Sequence, residues 1–131
     1  MLFMLFDLQQ YSDIAILFLR LAIAAIFIVH GLPKIKGAKT MAPMMGLSAP
    51  VVLLLGGVEL VSGLALILGV YMQTAALLLS VVMLGAIYYK AGKWHMPFTA
   101  HDKTGWEFDL ILLAATILIF VIGGGAIALI P

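Results

Sequence analysis

Cysteine is missing from all 131 residues, which removes disulfides, thiol catalysis, iron–sulfur ligation and any Cys-based zinc site from this polypeptide. Charge is nearly as scarce. Charged side chains make up 10% of the chain and hydrophobic ones 65%, whereas ordinary soluble domains carry about 25% charged residues. A soluble globule this small has too much surface to cover with so few charges, and a disordered chain would be far less apolar. Seven Lys and Arg against six Asp and Glu leave a formal +1, so no polybasic surface exists for nucleic acid. What remains is a small integral membrane protein.

A membrane-crossing helix needs about 20 predominantly apolar residues. Four stretches qualify, at about 14–30, 50–68, 72–89 and 108–129. Each is apolar around its whole circumference rather than along one stripe, as a helix surrounded by lipid and other helices should be. The expected fold is all-α: a single membrane domain over 1–131, built as a four-helix bundle with antiparallel neighbouring spans. The opening MLFMLFDLQQ has no basic leader, and its apolar run breaks at Asp7. It is expected as an interfacial segment with Phe3 and Phe6 in the headgroup zone. Gly31 and Pro33 are expected to end the first helix. Pro50 suits the first turn of the second, and Pro43 argues against a long helix between Gly37 and Gly46.

Positive charge divides the loops. Lys34, Lys36 and Lys39 follow the first span, and Lys90, Lys93 and Lys103 follow the third. Neither the start of the chain, the link at Gly69–Tyr71 nor the residues after the fourth span hold any Lys or Arg. The positive-inside rule then puts loops 31–49 and 90–107 in the cytoplasm and both termini outside the cell membrane.

Arg20 and Glu59 lie well inside spans, where each charge costs about 2.5–3.5 kcal/mol on insertion scales. If the first helix ends at His30 and the second begins at Pro50, position numbers at equal depth add to about 80. Arg20 and Glu59 meet that condition, so a buried Arg20–Glu59 ion pair is expected. The same arithmetic places Ser62, Ser80 and Thr116 near that level as a polar layer, with Gly56 and Gly63 allowing close helix approach. The layer reads either as a ligand, proton or quinone contact or as a clamp fixing register, the hydroxyls bonding their own backbone.

A second cluster gathers at the cytoplasmic boundary. Tyr88, Tyr89, Trp94 and Trp106 are ordinarily aromatic-belt anchors, and Glu107 and Asp109 ordinarily complement a helix dipole. A sharper reading makes His30, Tyr89, His95 and Asp109 a quinone headgroup site. A quinone needs hydrogen-bond donors and a proton source near water, and His titrates in the useful range. His30 and Asp109 are the catalytic candidates on that reading. His95 and His101 match no metal-ligand spacing, so no metal is expected.

Arg20 in FLRLAIAAIFIVHGLPKI, the run GLSAPVVLLLGGVELVSGLALILGVYMQTAALLLSVVML and the segment WEFDLILLAATILI together resemble the DoxX family, over about Ile14–Val121. The Arg of the first helix, the HG-x-x-K at its end and the G-x-x-E-L of the second carry the resemblance. It implies a small four-helix membrane protein whose relatives look like subunits of quinone-linked oxidases, of thiosulfate:quinone oxidoreductase or of thiol-stress membrane complexes. The family pattern falls on Arg20, His30, Gly31, Lys34 and Glu59. With no cysteine, covalent sulfur chemistry would belong to a partner subunit. Three functions stay open: a subunit of a quinone-linked redox complex, with no covalent cofactor; a non-catalytic anchor or assembly factor for a soluble oxidoreductase; and an oligomeric small-solute or proton pathway. The expected partners are membrane lipid and either an oxidoreductase subunit or further copies of the chain.

Overall fold

The computed structural model describes residues 8–130, so the expectation for Phe3 and Phe6 falls outside the described residues. A short 3-10 turn, Gln9–Tyr11, leads into five helices: α1 (Ser12–Lys36), α2 (Ala38–Met45), α3 (Ala49–Leu68), α4 (Met72–Ile87) and α5 (Trp106–Ile122). A π-helical stretch, Tyr88–Lys93, extends α4. No strand occurs among the described residues. By length and composition three helical runs can cross a membrane, Gln9–Lys36, Ala49–Leu68 and Met72–Lys93. Their outward faces are apolar, with Phe18, Val29, Leu54 and Val61 all strongly exposed.

Local chemistry sets most of the ends. Ser48 is extended before α3 and Pro50 fills its first turn, where a missing N–H is harmless. Gly69 closes α3 with φ +74°, a left-handed conformation that only glycine adopts freely. Glu107 and Asp109 occupy the first turn of α5, beside the positive end of its dipole.

The first helix corrects the sequence reading. It does not stop at His30 but continues through Gly31 and Pro33 to Lys36. Pro33 lies in the last turn, so its missing N–H forfeits a single backbone bond, and within a bilayer the backbone has no water to turn to instead. Gly31 acts as a packing residue. A Cβ there would lie 3.0 Å from the Gly56 carbonyl oxygen, and one on Gly56 would lie 2.8 Å from Lys34 Cβ. Absent side chains let α1 and α3 approach closely, and this pair is the most extensive packing in the molecule. Pro43 does not prevent a helix at 38–45; the eight-residue α2 contains it and ends at Gly46.

The longer α1 moves the register. Gly31 sits against Gly56, Ala24 against Gly63 and Arg20 against Leu66. Arg20 therefore faces a level seven residues beyond Glu59, about 10 Å along α3 at the helical rise. α5 also differs from expectation. It ends at Ile122, where Gly123 takes φ +86°, and residues 123–130 return along the bundle without helix. Their amides at Leu129 and Ile130 donate to the carbonyls of Leu68 and Gly69. The three glycines make this possible: a Cβ on Gly124 would collide with Met72, and Gly125 has φ +88°. The apolar core joins Ile23, Ala24 and Phe27 of α1 to Leu66, Ala76, Leu79 and Ile119 of α3, α4 and α5.

Candidate functional site

The expected Arg20–Glu59 ion pair is not formed. Register separates the two charges, and each finds other partners. Arg20 is almost wholly buried, and among the described residues its hydrogen bonds go to carbonyl oxygens. Nε and Nη2 donate to Leu66 at 3.0 and 2.8 Å. Nη1 donates to Gly124 at 3.2 Å and Ile127 at 2.6 Å. Leu66 lies in the last turn of α3, where unpaired carbonyls and the negative end of the helix dipole favour a cation. Arg20 thus ties the end of α3 to the returning segment. Asp13 helps, its Oδ1 accepting from the amide of Ala126 at 3.0 Å.

Glu59 is paired with Lys34 instead. The ammonium lies 2.9 and 2.8 Å from the two carboxylate oxygens and also donates to the His30 carbonyl at 3.3 Å. Lys34 stands one turn after His30 on α1, and the Gly31–Gly56 contact brings α3 close enough for its side chain to reach Glu59. A second pair stands nearby: Lys90, in the π-helical stretch, donates to Asp109 of α5 at 2.8 Å. Both carboxylates are buried, with side-chain exposures of 4% and 5%, while the lysines retain 13% and 19%. The arrangement suits lysine, whose long stem lets the ammonium stay near the surface while reaching inward.

His30 lies between these pairs. Its ring packs on Phe108 with centroids 5.6 Å apart and planes tilted by 48°. It lies in the field of Lys34, Lys90 and Asp109. Among the described residues the imidazole makes no side-chain hydrogen bond, and its outer side is exposed. Both ring nitrogens can therefore take a hydrogen bond from, or give one to, an incoming group. Two cations beside an unengaged imidazole, with buried carboxylates behind them, form a polar cluster at this end of the helices.

The other expected headgroup residues are elsewhere. Tyr89 packs with Tyr88 and Trp94 at 5.6 and 5.8 Å, and the Lys93 ammonium stands 5.4 Å from the Tyr89 ring centroid. This is a cation–aromatic cluster of the kind that anchors helix ends at a membrane surface. His95 is exposed, with φ +51°, and shares no hydrogen bond or ring contact with His30 or Asp109. Of the four, the structure brings together His30 and Asp109. In the polar layer, Ser80 Oγ donates to Thr116 Oγ1 at 2.8 Å, and it also reaches the Ala76 carbonyl at the same distance. Thr116 reaches the Leu113 carbonyl at 3.1 Å. Ser62 is buried on α3.

Sequence reasoning missed Lys34 and Lys90 as partners because both were counted as loop charges. The HG-x-x-K spacing held the signal for Lys34, since one helical turn stacks it on His30 once the helix is allowed to continue past Pro33.

The DoxX family model matches residues 15–102, a span that holds Arg20, His30, Lys34, Glu59 and Lys90. A protein of Haemophilus influenzae described as uncharacterized is 32% identical over 127 residues, covering 94% of this chain and 93% of that one. No solved structure matches significantly.

Proposed function

The chain belongs to the DoxX family of membrane proteins, and from that premise we propose that it is the membrane subunit of a quinone-linked redox complex whose quinone headgroup meets His30. The observation that carries the reading is the unengaged imidazole, set on Phe108 between two Lys–carboxylate pairs. A quinone carbonyl accepts hydrogen bonds, and its reduction to the quinol, with two electrons delivered by the partner oxidoreductase subunit, takes up two protons. An imidazole backed by Lys90 and Asp109 supplies both needs, and Phe108 offers an apolar surface for the ring.

In the same reading α1, α3, α4 and α5 cross the cell membrane as an antiparallel four-helix bundle, with loops 31–49 and 90–107 cytoplasmic. At 17 residues α5 spans about 25 Å, a little short of a hydrocarbon core of roughly 30 Å. Beyond it residues 123–130 fold back onto Arg20 and the end of α3. Irregular backbone is tolerated there only when protein satisfies it, which is the part Arg20 and Asp13 play.

The test is quinone binding by the protein in nanodiscs, followed by quenching of Trp94 and Trp106 fluorescence with a short-chain ubiquinone. Loss of one hydrogen bond to the headgroup predicts about ten-fold weaker binding in His30→Ala. Equal quenching curves for wild type, His30→Ala and Asp109→Asn would remove this end of the bundle from quinone chemistry. One observation favours a second reading, that of an anchor for a soluble oxidoreductase: Glu59 and Asp109 are each already neutralised by a lysine. On that reading Asp109→Asn and Glu59→Gln lose folded protein, while the partner's activity per folded complex is unchanged.

A further inference from the structure

A groove of about 750 Å³ lies between the last turns of α1 and the short helix α2. Its size falls in the range of small-molecule sites. Its walls change character along α1. Ile28, Val29 and Leu32 form the deeper, apolar part, whereas Lys36 and Thr40 stand at the end nearest the loop. Val29 is 68% exposed, so the apolar wall is open to whatever surrounds the helix.

The charges at this end of α1 are not equivalent. Lys34 points toward α3, where Glu59 neutralises it. Lys36, two residues later, points to a different side, lines the groove and enters no ion pair among the described residues. Lys39, the second residue of α2, likewise enters no ion pair among the described residues. An uncompensated cation at the surface end of an apolar groove matches one chemical profile: an anion joined to a long hydrocarbon. A free phosphate would use the lysine and leave the apolar wall unexplained. A neutral lipid would use the wall and leave the charge unexplained.

We infer that the groove between α1 and α2 binds an anionic glycerophospholipid, with its phosphate at Lys36 and Thr40 and an acyl chain along Leu32, Val29 and Ile28. The site is separate from the imidazole cluster. His30 turns toward Phe108 of α5, whereas α2 packs mainly beside α3 and α1. The lipid pins α2 to the end of α1 and so holds the 37–48 connection against the membrane surface.

The experiment is thermal unfolding of the detergent-purified full chain during titration with phosphatidylglycerol, phosphatidylcholine or inorganic phosphate, with retained lipid counted by native mass spectrometry. Phosphatidylglycerol is expected to raise Tm at lower concentration than phosphatidylcholine, and inorganic phosphate to leave it unmoved. One lysine at an anionic headgroup predicts that Lys36→Gln raises the half-saturating phosphatidylglycerol concentration about five-fold and erases the preference over phosphatidylcholine. Val29→Trp, at an exposed position, fills the groove and abolishes retention of the lipid. His30→Ala keeps the full response, so failure of the quinone reading leaves this site standing. Equal responses to the two lipids, an unchanged response in Lys36→Gln, or a Tm shift reproduced by phosphate alone would overturn the proposal.

Discussion

Lys34 donates to both carboxylate oxygens of Glu59, at 2.9 and 2.8 Å, from a helix that reaches it only because Gly31 and Gly56 have no side chains between them. The pair is asymmetric in its exposure. The ammonium retains some access to the surroundings, whereas the carboxylate is buried. An ion pair inside a bilayer is cheap to keep and expensive to break, since the lone charge left behind has nothing to solvate it.

That asymmetry orders three variants. Lys34→Met strands the buried carboxylate and should destabilise by about 3 kcal/mol. Glu59→Gln costs less, because the freed lysine can swing outward. The double variant should be more stable than Lys34→Met alone. Thermal unfolding in detergent measures the order, and additive losses would mean that the two groups do not interact.

Arg20 is irreplaceable by lysine. Its fork holds carbonyls of Leu66, Gly124 and Ile127 together, and a single ammonium cannot match that planar geometry. Arg20→Lys should cost about 2–4 kcal/mol and open residues 123–130 to carboxypeptidase. Deleting 123–130 and replacing Arg20 should not be additive, as each removes the other's partners. Unaltered digestion in Arg20→Lys would contradict the tie.

Glycine positions separate into two classes. Gly31→Ala drives a methyl group against backbone of α3 and should destabilise by about 1–3 kcal/mol. Gly57 and Gly85 have open space around a built Cβ, so alanine there should be neutral or stabilising by up to about 1 kcal/mol through helix propensity. Unfolding midpoints of the three variants test the distinction.

The Ser80–Thr116 contact should be modest. Ser80 has the Ala76 carbonyl and Thr116 the Leu113 carbonyl as further partners, so neither hydroxyl is stranded when the other is lost. A double-mutant cycle with Ser80→Ala and Thr116→Val should give a coupling of about 0.6 kcal/mol, the usual size for such bonds in membrane bundles. A coupling several times larger would mark a more important role.

Composition alone made the helical membrane character legible, and the apolar runs located the long helices to within a turn at most ends. Gly56 and Gly63 were readable as packing glycines because each lies one turn from Glu59. Gly31 was not, since a glycine followed by Pro33 resembles a stop signal, and only the facing surface of α3 reveals its use. That one misreading shifted the α1–α3 register by about two turns and carried the Arg20–Glu59 pair with it. His30 and Asp109 were legible from their shared depth at one end of the helices. Tyr89 and His95 share that depth but face other neighbours, and depth arithmetic has no information about azimuth. The return of residues 123–130 was hidden for another reason: its side chains are as apolar as those of a helix, and what sets its path is backbone hydrogen bonding to Arg20 and α3.

The acceptors of the Arg20 Nη1 atom are encoded 104 and 107 residues downstream. During synthesis α1 therefore enters the translocon or lipid before the Nη1 acceptors of its guanidinium have been made, although Leu66 follows after 46 residues. Until they emerge, water or phosphate must accompany that group, or a chaperone must shield it. Maturation of the first helix then coincides with arrival of the last, which couples the two extremes of the described chain in a single late assembly step.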